Sequence, residues 1–433
     1  MGHRVMNRAK VRLWGREIGA VVWDEGARLA AFEYDPEFQG SGIEVSPIAM
    51  PLGPGIIQFP ALPEEAFQGL PGMLADSLPD RFGHALIDEW LARRGRTPES
   101  FSPVERLCYV GTRGMGALEY EPATGPDSAE GAIEIGELVE LAEAVLAKRK
   151  GLRARLDHGS DAMNRILQVG TSAGGARAKA VIAWNAETGE VRSGQAGLPA
   201  GFGHWILKLD GVQSSDDREV GTTLGYGRVE FAYHRMAVAA GVSMTECRIH
   251  EEGGRAHFMT KRFDRIDDGR KLHMQSLGAL AHYDLNAAGA QSYEQAIGVM
   301  RQLELTSEEI GQQFRRTVLN LAARNQDDHV KNIAFLMDQA GRWRLSPAYD
   351  VTYSYNPAGA WTSRHQMKVN GKRDGFTMDD LLEFAGHCNL KTLRAKAIIA
   401  EVLEATRRWR EFADEAGVPT ARSAEIERHF RFR

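Results

Sequence analysis

Residues 325–350 read NQDDHVKNIAFLMDQAGRWRLSPAYD, and three of them have the types and spacing that phosphoryl transfer requires. Asp327 stands five residues before Asn332, and Asp350 follows after two short apolar runs, an Ala340-Gly341 turn and Pro347. In kinase-type centres one Asp orients and accepts the proton of the attacking hydroxyl, while an Asn five residues on and a later Asp hold the magnesium ions that bridge the ATP phosphates. The reaction needs little covalent work and much positioning of negative charge, so oxygen ligands for a hard cation beside one base suffice. Acidic residues near a turn are more commonly solvated loop charges or helix caps, and an Asp-x4-Asn spacing recurs by chance, so the assignment leans on its surroundings.

Those surroundings have the right order. From about residue 276 the pattern is mainly helical: Thr306 and Glu309 form a capping box, and Ile310, Phe314, Val318 and Leu321 make one helical face that ends at the Asp327 loop. Residues 391–416 carry a second such face through Ile398, Val402, Ala405, Trp409 and Phe412, predicting a helix there. Upstream, residues 169–181 (VGTSAGGARAKAV) are a small-residue loop entering the strand-like VIAW, and HWILKLD then carries Lys208 between Leu207 and Leu209. A loop whose amides cover phosphates, followed by a strand whose Lys neutralises them, is how a kinase small lobe builds its nucleotide site. A snorkelling Lys at a strand end gives the same local pattern. Glu230, in the helical RVEFAYHRMAVAAG, is a partner for Lys208 on the kinase reading; CRIHEEGGRAHFMTKRFDR then reads as a hairpin turning at Gly253 and Gly254.

The first part of the chain reads differently. Residues 10–34 alternate as strands with a turn at Gly15-Arg16, residues 46–63 are Pro- and Gly-rich loop, and residues 84–94 form an amphipathic helix with Leu86, Trp90 and Leu91 on one side. Asp76, Ser77, Asp80 and Arg81 are read as turn and capping groups. GTRGMG at 111–116 has no helix signal after it and reads as a tight connection, not a phosphate loop. Around residues 123–130 the composition shifts to that of a linker, placing a domain boundary near residue 125, and residues 135–150 form a helix stopped by Gly151.

With 433 residues, 43% hydrophobic and 26% charged, the chain is long enough for two or three domains with substantial cores. A net charge of -5 and a pI near 6.3 argue against a protein that coats nucleic acid by bulk electrostatics. Cys108, Cys247 and Cys388 are scattered, with no metal-ligand spacing, which fits a reducing cytoplasm. The N-terminus lacks the apolar core of a signal peptide, and no run approaches the roughly 18 apolar residues that span a bilayer.

FEYDPEF, LADSLPDRFG, MGALEYEP, SAGGARAKA, ILKLD, KRFDR, NQDDHVKN and SPAYDV occur in that order, and with them the chain resembles the HipA family, the serine/threonine-kinase toxin component of HipBA-type toxin-antitoxin modules. The resemblance covers nearly the whole length. It implies an α+β, two-lobed protein-kinase-like fold: a β-rich N-terminal subdomain over residues 1–125, a kinase-like N-lobe over 126–265 and a helical C-lobe over 266–433. It implies Asp327 as catalytic base, Asn332 and Asp350 as ligands of Mg2+, Lys208 on the ATP phosphates, and Gly174, Gly175, Ala176, Arg177, Ala178 and Lys179 as the phosphate-covering loop. Lys261, Arg262 and Phe263 would be the adenine hinge, with His329, Val330, Lys331 and Tyr349 lining the nucleotide site. Ser172, beside Thr171, falls where members of the family autophosphorylate. The implied activity is transfer of the ATP γ-phosphate to a Ser or Thr of a translation factor, foremost an aminoacyl-tRNA synthetase. The implied partner is a small helix-turn-helix antitoxin of HipB type, through which operator DNA is reached.

Eukaryotic protein kinases carry His-Arg-Asp at the base and Asp-Phe-Gly at the second metal ligand, where this chain has Gln326 before Asp327 and Tyr349-Asp350-Val351. That Arg commonly couples the base to an activation-loop phosphate, and its absence points to regulation through the Ser172 loop. Some relatives carry Glu at Lys261 and Gly at Asp328. Two other readings share these residues: a small-molecule kinase on the same scaffold, and an ATP-binding corepressor that acts through the antitoxin. Transfer of label to metabolites in preference to protein would single out the first, and ATP binding without transfer the second.

Overall fold

Strict alternation builds the first sheet. In Arg8–Leu13 (β1), Ala9, Val11 and Leu13 are buried while their neighbours face outward. β1 pairs antiparallel with Arg16–Asp24 (β2) across a two-residue turn at Trp14 and Gly15, whose φ values of 50° and 79° give the turn that matches the right-handed twist of strands. The turn lies one residue earlier than the Gly15-Arg16 pair predicts. Leu29–Tyr34 (β3), Ile56–Ile57 (β4) and Leu118–Glu121 (β5) complete an antiparallel sheet in the order β4-β3-β2-β1-β5. β4 is a brief pairing inside residues 46–63, which are otherwise irregular, as their Pro and Gly content predicts. The computed structural model describes residues 7–126, 132–146, 166–167, 169–170, 177–195, 198–212, 224–266 and 269–432.

Helix Arg81–Arg93 starts ahead of the predicted His84 because Asp80 caps it, accepting from Gly83 N at 2.7 Å. An unpredicted helix, Pro103–Val110, is closed by a Ser102/Glu105 capping box and packs on β1 and β2. Lys179–Asn185 (β6) lies between Val191–Ser193 (β7) and Phe202–Lys208 (β8), antiparallel to both. Ala180, Ile182, Trp205 and Leu207 turn to one face and bury against Leu138 and Ala142 of helix Ile135–Leu146 and against Phe82 and Leu86. Each large side chain so buried contributes about 1.5–3 kcal/mol before entropy is counted. Cys247–Glu252 (β9) and Arg255–Lys261 (β10) form the predicted hairpin at Gly253 and Gly254.

The chain divides into two compact units. Met1–Asp216, Met259–Gln275 and Leu336–Arg342 make the first; Asp217–Phe258, Ser276–Phe335 and Trp343–Arg433 make the second. The first carries the β-sheet structure of the N-terminal part and the second is mainly helical, an α+β protein. In the second, helix Ser307–Ala322 begins in the Thr306/Glu309 capping box and buries Ile310, Phe314, Val318 and Leu321, as predicted. The helix predicted over 391–416 is two, Thr392–Arg407 and Trp409–Glu415, broken at Arg408. The break turns Trp409 onto Tyr233 and Phe430, with ring centroids 5.1 and 5.7 Å away, and that aromatic burial outweighs the lost helical continuity. Among the described residues no helix is long and apolar enough to cross a membrane.

Candidate functional site

Helix Ser307–Ala322 ends where Arg324 takes a left-handed φ of 58°, and residues 325–332 leave it as a loop. Asn325 anchors that loop. Its Nδ2 donates to Asn320 Oδ1 at 3.0 Å and reaches the Asp350 carbonyl at 3.5 Å, while its Oδ1 accepts from Ser354 Oγ at 2.9 Å. One buried amide therefore ties the helix end to the segment that carries Asp350. Asp350 itself sits at a φ of 52°, a conformation Asp tolerates better than most residues. The two apolar runs between are the strands Ala334–Met337 and Trp343–Leu345, and Asp338 closes their turn by accepting from Ala340 N and Arg342 N.

Asp327 and Asp328 are neighbours in opposite environments. Asp328 is buried, with Oδ2 accepting from Tyr293 Oη and His365 Nδ1 at 2.8 Å each and Oδ1 accepting from Gln366 N at 2.7 Å. Burial, and next the charge of Asp328, push the Tyr293 hydroxyl well above its usual range. Asp327 keeps 45% of its side chain exposed, and His329 Nε2 lies 3.9 Å from its Oδ1. The same oxygen accepts from Trp361 Nε1 at 2.6 Å. Asn332 Nδ2 donates to the Asp327 carbonyl at 2.7 Å, so its amide oxygen points away from that carbonyl as an available ligand. Tyr349 Oη donates to the Lys331 carbonyl at 2.5 Å. Val330 is buried, its carbonyl accepting from Gly278 N, and shapes the loop from within.

The second unit thus brings Asp327, His329 and Asn332 together, with Lys331 joined to Tyr349 and Asp350 tied through Asn325. The remaining candidates belong to the first unit. Lys208 ends β8, half-buried, directly opposite Lys179 of β6, and cross-strand partners project from one face. Lys179 is buried with its ammonium 3.4 Å from Asp80 Oδ2; burial pushes the Asp80 carboxyl up to about 6 against the pull of Lys179. Arg177 is half-buried and Ala178 buried, whereas Thr171, Ser172, Gly174, Gly175 and Ala176 lie outside the described residues.

Lys261 and Phe263 are half-buried, but Arg262 turns inward. Its N–H donates to the His204 carbonyl at 2.9 Å and its guanidinium pairs with Asp264 at 2.7 Å. Asp264 also accepts from Gly116 N at 2.7 Å, and Arg265 donates to the carbonyls of Gly114 and Gly116. GTRGMG is therefore a tight connection docked on a buried ion cluster, as its lack of a following helix predicts. Gly116 is required there: its φ is 74°, and a Cβ would meet Met274 N at 2.9 Å.

Tyr293, Ser354, Trp361 and His365 hold the site and were not expected from sequence, since none stands at a spacing that marks it. Among the described residues no three His, Cys, Asp or Glu side chains cluster to hold a metal by themselves. One Asn and one Asp as donors fit a cation that keeps several waters and completes its shell with phosphate oxygens, as magnesium does.

Residues 9–121 match the family model of the HipA N-terminal domain, and residues 171–410 that of the HipA-like C-terminal domain. No curated protein matches the chain. Among solved structures, HipA of Shewanella oneidensis MR-1, determined in complex with HipB and its operator DNA, superposes with a TM-score of 0.65 at 16% identity, covering 97% of this chain and 94% of that one. At that identity the likeness is one of fold. The Helicobacter pylori proinflammatory kinase CtkA gives a TM-score of 0.32 at 12% identity over 52% of this chain and 92% of that one, too slight to carry an argument.

Proposed function

Because the chain belongs to the HipA family, we propose that it is an ATP-dependent serine/threonine protein kinase with a two-lobed kinase-like fold, the toxin component of a type II toxin-antitoxin module. The observation that carries this reading is the hydrogen bond from Asn332 Nδ2 to the Asp327 carbonyl, which fixes a cation-ligand oxygen and a half-exposed carboxylate on one turn of chain. Asp327 accepts the proton of the attacking Ser or Thr hydroxyl. Asn332 and Asp350 hold Mg2+, which when bound neutralises charge on the ATP phosphates. Lys208 supports the phosphates, the small-residue loop that precedes β6 covers them, while Lys179 itself is spent on Asp80 inside the sheet, and the backbone of Lys261, Arg262 and Phe263 faces adenine. With the Arg262 N–H committed to His204, the groups left for that contact are its carbonyl and the backbone of its neighbours.

Phosphorylation of Ser172 adds roughly -1.5 to -2 charges to a loop that embraces phosphates, so like-charge repulsion expels the loop and switches the kinase off. The substrate is a translation factor, an aminoacyl-tRNA synthetase, in the cytoplasm. A HipB-type antitoxin is the partner, supported by the complex in which the Shewanella protein was solved, and operator DNA is reached through it. Intact-mass spectrometry of the chain with MgATP tests the chemistry. One added phosphate, absent from Asp327→Ala and Ser172→Ala, is the expected result; unmodified wild-type protein that binds ATP and gains no phosphate overturns it.

A further inference from the structure

We propose that Trp361 is a positioning residue for the Asp327 carboxylate, carried on a loop that the amides of Gln326 and Gln366 tie beside the base. The inference rests on the reading of Asp327 as the base. Trp361 Nε1 donates to Asp327 Oδ1 at 2.6 Å, a short, charge-assisted bond from a side chain with a single polar atom and only two rotatable bonds. The bond holds one carboxylate oxygen and sets the rotamer that presents the other, Oδ2, to an incoming hydroxyl.

Residues 356–362 form a closed loop. Asn356 N donates to the Thr362 carbonyl at 3.3 Å and Gly359 N to the Asn356 carbonyl at 3.0 Å, while Asn356 Oδ1 accepts from Ala358 N at 3.1 Å. Two further side chains pin its trailing end. Gln326 Nε2 donates to the Thr362 carbonyl at 3.2 Å, and Gln366 Nε2 donates to the Trp361 carbonyl. Arg324 Nη1 donates to Gln326 Oε1 at 2.9 Å, which fixes the Gln326 amide with its nitrogen toward the loop.

Gln326 is the residue immediately before the base, the position of the phosphate-coupling Arg of eukaryotic kinases. Here the same position reaches the loop through a neutral amide and a backbone carbonyl. Adjacent residues thus engage the loop in both senses: Gln326 grips its backbone, and the loop's indole grips Asp327. The contacts that hold the loop beside the base run from two amides to backbone carbonyls and from the indole to the carboxylate, and none of them calls for an added charge on the loop.

The experiment has one readout independent of catalysis and one dependent on it. The indole N–H resonance of Trp361, assigned by its loss in Trp361→Phe, is expected downfield in the wild type and shifted upfield in Asp327→Ala. An indole resonance that ignores Asp327→Ala overturns the positioning contact and leaves phosphotransfer standing. In the kinase assay, Trp361→Phe and the replacement of Trp361 by benzothienylalanine, which keeps the bicyclic ring and deletes only the donor, are both expected to lower kcat about tenfold or more at unchanged KM for ATP. Unchanged or increased kcat in the benzothienylalanine protein overturns the proposal, an increase identifying the indole as a block on the base. A wild-type chain that transfers no phosphate overturns the kinase reading, and the positioning role falls with it.

Discussion

Asp327 and Asp328 show how far a residue's role is set by what surrounds it. Both are carboxylates in one loop, yet Asp328 is committed to three donors inside the second unit and Asp327 faces solvent. Replacing Asp328 by Ala strands the Tyr293 hydroxyl, the His365 ring N–H and the Gln366 amide, at about 1–3 kcal/mol for each buried group left unpaired. The expected outcome is a thermal unfolding midpoint several degrees lower for Asp328→Ala, with Asp327→Ala near the wild type, read by circular dichroism. Spacing to Asn332 selects Asp327 in the sequence, and the structure supplies the physical contrast between the two. The indole, imidazole and phenol that hold this pair come from distant positions with no periodic mark, so nothing in the sequence singled them out.

Among the elements, β6 and β8 place Lys179 and Lys208 side by side on one face, a like-charge pair that costs stability unless it is compensated. Asp80 supplies the compensation for Lys179 while capping helix Arg81–Arg93. Two variants separate those duties. Asp80→Asn keeps an N-cap and removes the carboxylate that faces the buried ammonium, an expected loss of about 1.5–3 kcal/mol; Asp80→Ala adds about 1 kcal/mol for the cap. Urea denaturation midpoints falling from wild type to Asp80→Asn to Asp80→Ala check it, and an Asp80→Asn midpoint equal to the wild type would show the ion pair to be idle. The capping role was legible from Asp80 standing ahead of an amphipathic run. Its partner on a distant strand was not, because pairing of that kind depends on the sheet being assembled. The strands and the Ser307–Ala322 helix were likewise legible from periodicity, whereas the break at Arg408 was not: the spacing of Ile398 through Phe412 suits one helix or two, and packing of Trp409 decides.

Across the whole molecule, compactness does not follow chain order, since residues 259–275 and 336–342 return to the unit that holds the N-terminal sheet. The joint is the Asp264 cluster, where two of the sequence motifs meet. Burial alone would raise the Asp264 carboxyl, but Arg262, Arg265 and the Gly116 N–H together hold it well below the usual carboxylate range. A depressed folded-state value means that its contribution is fully present above the ordinary value of 3.8 and is lost as pH falls below it towards the folded-state value. The gap in melting temperature between wild type and Asp264→Asn is therefore expected to be wide at neutral pH and to narrow progressively below pH 3.8. A gap independent of pH would contradict that assignment.

The same joint has a consequence for how the protein is made. Trp14 Nε1 donates to the Lys271 carbonyl at 2.7 Å, so the turn between β1 and β2 waits for a partner 257 positions further along. At synthesis rates of about 5–20 residues per second, the ribosome delivers that partner roughly 13–50 s after the turn itself. During that interval the nascent N-terminal sheet stands without its closing contact, and that interval is where a chaperone would find it.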